Sequence, residues 1–146
     1  SEFTGMAQTP FMAPTVFNFY PPDYNVPGTT LNGPEFAIMN TGTSITRTNF
    51  VNRFIFTATP VPVSSPNSPN GTSLDLSDLQ ALSTADPSGN MLLDELNRRM
   101  LHGTMSATMR STILPVVTSV NATDTLGRVR QAIYLVATSS QYQVQR

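Results

Sequence analysis

The stretch DTLGRVRQAIYLVAT, residues 124–138, decides the reading of the fold. Leu126, Val129, Ile133 and Val136 recur at three- and four-residue steps, the period that lines one face of an α-helix. Thr123 stands before it as the expected N-cap. Working back along the chain, Leu92, Leu93, Leu96 and Met100 keep the same spacing and predict a helix over about 89–102, stopped by Gly103 at C′. Met105, Met109, Ile113 and Val116 or Val117 predict another over about 105–119, which Pro115 should kink or restart. A short helix is expected over about 77–84 with Ser77 as its cap. Asp86-Pro87-Ser88-Gly89 reads as a turn.

The N-terminal part reads differently. Between residues 6 and 34, Pro10, Pro14, Pro21, Pro22, Pro27 and Pro34 forbid a long helix. Phe11, Phe17, Phe19, Tyr20 and Tyr24 crowd the same segment, so it should lie over a helical surface and pin itself by burying rings. Residues 35–56 look helical: Pro34 and Glu35 suit a helix start. Phe36, Met39, Thr43, Phe50 and Phe54 share a stripe, flanked by Ile38 and Ile45. Gly42 and several threonines weaken its centre, so a kink or break is expected near 40–44. Residues 57–73 read as a mobile surface loop, rich in Pro, Ser, Thr and Asn. With no convincing strand pair, the expected architecture is all-α. It is an irregular bundle of about five helices with a long Pro/aromatic-rich N-terminal loop. Residues 1–5 read as a cloning scar and flank, because Glu2-Phe3 is what a common restriction site encodes. Residues 6–146 read as one helical domain, the C-terminal part of a larger protein.

Composition narrows the chemistry. Charged residues are only 12 % and the net charge is −1. This weighs against a nucleic-acid partner, which needs clustered basic surface, and against electrostatic binding to anionic membranes. No apolar run approaches the roughly 20 residues that span a bilayer. All eight basic residues are Arg, so lysine chemistry is excluded. There is no cysteine, which removes disulfides, thiol catalysis and Cys-ligated metals. No cofactor or metal site is expected.

The remaining candidates are few. His102 is the only histidine. It precedes Gly103 at an expected helix end, where an imidazole meets free carbonyls, so capping is the first reading and catalysis the lesser one. Carboxylates could act in pairs, and Asp75 with Asp78 or Asp94 with Glu95 are the candidates. Neighbours on a helix diverge by about 100°, so Asp94 and Glu95 do not share a target. Acids at 75 and 78 are expected at a helix start anyway. Asp86-Pro87-Ser88-Gly89-Asn90 has a superficial likeness to a calcium loop, but lacks the required Gly at the sixth and Glu at the twelfth position. Ligand contacts, if any, fall to Phe17, Phe19, Tyr20, Asp23 and Tyr24.

Three stretches together resemble the C-terminal region of the bacterial family known as domain of unknown function 1800. They are PTVFNFYPPDY (14–24) followed by GPEFAI (33–38), LHGTMS (101–106), and RVRQAIYLVATSSQYQVQR (128–146). They follow the family's order over nearly the whole chain. The resemblance implies a largely helical, much longer parent chain with an export signal, hence a periplasmic or secreted location. It also implies a sulfatase-like companion protein. No catalytic residues are implied.

Three functions stay open on sequence grounds. The first is a structural or protein-interaction region, partnered by its parent chain and self-associating when alone. The second is a hydrolase on polysaccharide or ester substrates using Asp75, Asp78, Asp94 or Glu95, with His102 as a further candidate. The third is a carbohydrate or small-ligand module using the aromatic loop.

Overall fold

The computed structural model describes residues 2–57 and 72–143. The chain is all-α, as its periodicity indicates. In order come α1 (Glu2–Gly5), a 3-10 turn (Pro34–Ile38), α2 (Thr41–Phe56), α3 (Ser77–Ala85), α4 (Asn90–Met100), α5 (Ala107–Ser119), α6 (Thr125–Thr138) and α7 (Ser140–Gln143). It divides into two compact units, residues 1–50 and 51–146. The expected mobile loop 57–73 lies almost wholly outside the described residues.

In the second unit α6 is the hub, packing against α3, α4, α5 and α7. Most of the buried set is what the stripes pointed to: Leu92, Leu93 and Leu96 from α4, Ile113 and Val117 from α5, and Val129, Ile133 and Val136 from α6, which Ala132 joins. Ile55, Leu76, Leu79 and Leu101 complete it. Each large aliphatic side chain buried in this way contributes about 1.5–3 kcal/mol.

The helix ends correct several sequence expectations. Thr123 is not the cap of α6; the Asp124 carboxylate accepts the Gly127 N–H at 2.8 Å. Asp124 Oδ2 would lie only 2.2 Å from a Cβ at position 127, so the cap needs glycine there. Ser77 does not cap α3 either; its own N–H donates to Asp75 Oδ1. Pro115 neither ends nor restarts α5, which runs unbroken through it.

The helix over 35–56 is broken, at the near edge of the 40–44 stretch where a kink or break is expected. Pro34–Ile38 forms a 3-10 turn, and α2 starts afresh at Thr41, after a gap of two residues. The break lies at Met39-Asn40, because Asn40 and Thr43 exchange backbone N–H and side-chain oxygen reciprocally. That is a capping box, a stronger local instruction than the apolar spacing across it. The buried apolar residue of α2 is Ile55, which lay outside the expected stripe.

The first unit is organised by turns. Val26 donates to Leu31 O, Gly33 donates to Tyr24 O, and Asn32 Nδ2 donates to Pro22 O. Gly33 sits where a Cβ would come within 2.8 Å of Val26 Cγ2. Its carbonyl then accepts the Phe36 N–H and starts the 3-10 turn.

Candidate functional site

Of the candidate carboxylates, Asp78 on α3 and Asp94 and Glu95 on α4 are committed to arginines, while Asp75, just before α3, accepts from Ser77. Arg99, on the last turn of α4, donates through Nη2 to Asp78 Oδ2 and through Nε to Glu95 Oε1, both at 2.5 Å. Arg98 grips the same Glu95 carboxylate with Nε and Nη2. The result is a chain Asp78–Arg99–Glu95–Arg98 that ties α3 to α4. The hydrogen bonds from Arg98 and then Arg99 hold the Glu95 carboxyl down at about 2. Asp78 is lowered chiefly by Arg99, with help from the Leu79 N–H. Asp75 is lowered by its hydrogen bonds from Ser77. A general acid must hold a proton near the working pH; these groups are pushed the other way.

Asp94 points elsewhere, as the helical angle required. Arg110 of α5 donates to Asp94 Oδ1 at 2.6 Å and also to the Asn90 carbonyl and side-chain oxygens. The likeness to a calcium loop dissolves for a related reason. Asp86 accepts from Ser88 N and Oγ and from Met91 N, so its carboxylate serves as the anion at the start of α4. Among the described residues no group of three His, Asp or Glu side chains could hold a metal ion.

His102 is exposed and follows Leu101, the C-cap of α4. Its φ is 52° and that of Gly103 is 85°, so two successive left-handed residues reverse the chain. The left-handed turn thus begins one residue before the glycine assigned to it. The loop after it is held from two sides. Asn97 accepts from Gly103 N through its carbonyl and from Met105 N through its side chain. Gln141 of α7 accepts from Ser106 N at 3.1 Å, and its amide nitrogen donates to Thr104 O. LHGTMS and the C-terminal stretch, read separately in the sequence, are one fastening.

Sequence reasoning missed Arg128. It is only 5 % exposed, and its hydrogen bonds go to backbone carbonyls rather than to a carboxylate. Its guanidinium donates to three carbonyls: Val120 at 2.9 Å, Pro87 at 2.6 Å and Thr118 at 3.4 Å. Two belong to the C-terminal end of α5, where unpaired carbonyls and the helix dipole favour a cation. The fork of five donors suits arginine to this task and lysine much less. The signal available in the sequence was a charge inside the apolar stripe of α6, next to Val129.

The aromatic loop departs most from expectation. Among residues 4–50 only Gly33 is buried, so the rings between 11 and 24 do not pin the segment to a core. Phe19, Tyr20 and Tyr24 are half-buried, while Phe17 is 57 % exposed and Phe11 wholly so. Asp23 makes none of the bonds that close the loop; Asn32 does. Two tight turns carry the apolar tips. In Thr9–Met12 the Met12 N–H donates to Thr9 O, with Pro10 second and Phe11 third at φ 62°. A type II turn wants glycine at that third place, and a left-handed non-glycine residue costs about 1–2 kcal/mol. In Thr15–Asn18 the Asn18 N–H donates to Thr15 O, and Val16 and Phe17 stand at the tip.

Comparison with known proteins finds no matching family, no matching curated protein and no matching solved structure.

Proposed function

We propose that the chain is a non-catalytic protein-interaction region. The α3–α6 bundle serves as scaffold and the N-terminal unit as the docking part. One observation carries this reading. Residues 4–50 bury no apolar side chain, yet they expose Phe11, Met12, Val16, Phe17 and Leu31. Large exposed apolar surface marks interaction sites, and strained backbone held at such tips points the same way. The resemblance of three ordered stretches to domain of unknown function 1800 supports placing the chain in a longer, exported bacterial protein. A sulfatase-like companion belongs to the same proposal. The carboxylates give the hydrolase reading no support, since arginines lower Asp78 and Glu95 and the Ser77 hydroxyl and N–H lower Asp75, which favours their charged forms.

A photo-activated cross-linker at position 11 or 17 tests this reading in cells that make the protein. Cross-links to protein chains are expected from both positions, and few from a control at exposed Thr108 on α5. No protein cross-link from 11 or 17 would remove the reading.

A further inference from the structure

In an Asn-Gly pair the backbone readily attacks its own side chain, because glycine has no Cβ to hinder the approach. The chemistry needs only water. The glycine nitrogen loses its proton and bonds to the asparagine side-chain carbonyl carbon, and ammonia leaves. Water then opens the succinimide at one of its two carbonyls, giving aspartate or isoaspartate. The pair occurs at 32–33 and at 70–71. The second lies outside the described residues. At the first, both reacting groups are engaged. The Gly33 N–H donates to Tyr24 O at 2.9 Å, and Asn32 Nδ2 donates to Pro22 O at 2.9 Å. Gly33 is buried, away from any base that must take its proton. Asn32 is bridged antiparallel to Asn25, and the Val26 N–H on Leu31 O closes the other side of that bridge. Ring closure therefore requires the 22–33 loop to open first.

We propose that Asn32-Gly33 is a modification site gated by the fold. Its amide converts to aspartate or isoaspartate only from the open loop, and the conversion then keeps the loop open. The product carboxylate can only accept, so the donor to Pro22 O is replaced by a group that repels that carbonyl. Isoaspartate also adds a methylene to the main chain and shifts the bridge to Asn25 out of register. An opening that is reversible in the parent chain becomes permanent.

Peptide mapping by mass spectrometry on the purified full chain at neutral pH tests the proposal, with Asn32 read separately from Asn70. Conversion at Asn32 should be at least about tenfold slower in the native chain than in urea, since a loop open less than about a tenth of the time reacts only for that fraction. Gly28 sets the turn of this loop: its φ is 78°, and the Thr29 N–H closes on Val26 O. Nothing lies within 4 Å of a Cβ placed there, so Gly28→Val strains the backbone alone. That variant should convert on the order of tenfold faster in the native state and at the parent rate in urea. In Asn32→Asp, which carries the product side chain, the Gly33 amide should exchange at least about tenfold faster than in the parent. Equal conversion of the native and the urea-unfolded chain overturns the gate, and so does a Gly28→Val chain that converts no faster than the parent. Parental exchange at Gly33 in Asn32→Asp overturns the lasting opening.

Discussion

Arg128 shows how one side chain can hold three segments of backbone. Its guanidinium closes the end of α5 and fastens the turn before α4 to the start of α6. Truncation to alanine leaves three partly buried carbonyls without that donor. Each buried group left unpaired costs about 1–3 kcal/mol. Arg128→Ala is expected to lose about 3 kcal/mol in urea unfolding, and Arg128→Lys to recover only part of it. A loss below about 1 kcal/mol, within the range of ordinary surface changes, would contradict the role given to it.

Glu95 supplies a pH signature at the same scale. Its folded-state value, about 2, lies below the ordinary 4.5, so folding favours the charged form. The stabilisation is then fully present above about pH 5 and is lost as pH falls through 4.5 toward 2. Glu95→Gln should flatten that acid limb of the stability profile while changing little in its shape between pH 6 and 8. An acid limb as steep in the variant as in the parent would assign the effect elsewhere, Asp78 and Asp86 being the next groups held low.

Among elements, α6 carries a built-in contest. Alanine in place of a helical glycine stabilises by about 1 kcal/mol, but at position 127 the new Cβ would collide with the Asp124 carboxylate that caps the helix. Losing such a cap costs about 1 kcal/mol. Gly127→Ala alone should therefore change stability little, whereas Gly127→Ala in an Asp124→Ala background should gain the full helical increment. Additive behaviour in that double-mutant cycle would sink the explanation. The fastening between α7 and the loop after α4 makes a separate claim. Gln141→Ala should speed hydrogen exchange at Ser106, whose N–H loses its acceptor, and leave Met105 protected by Asn97. Equal change at both amides would show that Gln141 acts only through general packing.

The same elements show what the sequence makes readable. Apolar spacing identified α4, α5 and α6 together with most of the buried core, because a packed bundle imposes that period on every helix. It failed where a local polar instruction competes. The break expected near 40–44 falls at 39–40 and is made by the Asn40/Thr43 exchange, a cause the weak centre at Gly42 did not name, and Asp124 displaced Thr123 as cap. Tertiary partners of polar groups were harder still. Nothing in the spacing of Arg128 names the carbonyl of Pro87, and nothing in Gln141 names Ser106. The chemistry of the candidate carboxylates is decided by their partners, arginines for Asp78, Asp94 and Glu95 and Ser77 for Asp75. Glu95 with Arg99 was visible at helical spacing; Asp78 with Arg99, across two helices, was not.

For the molecule as a whole, order is unevenly distributed. Residues 76–137 close a hydrophobic core around α6, while the N-terminal unit rests on turns, a few backbone bonds and the fit of Gly33 beneath Val26 and Phe36. No helix among the described residues is long and apolar enough to cross a membrane. The central claim is the proposal that the N-terminal unit is the docking part of the chain and the helical unit its scaffold. Photo-activated cross-linking in cells that make the protein, from positions 11 and 17 beside a control at exposed Thr108 on α5, tests it most directly. Protein cross-links from 11 and 17 that exceed those from 108 are the predicted result. No protein cross-link from 11 or 17, or as many from 108, would contradict it.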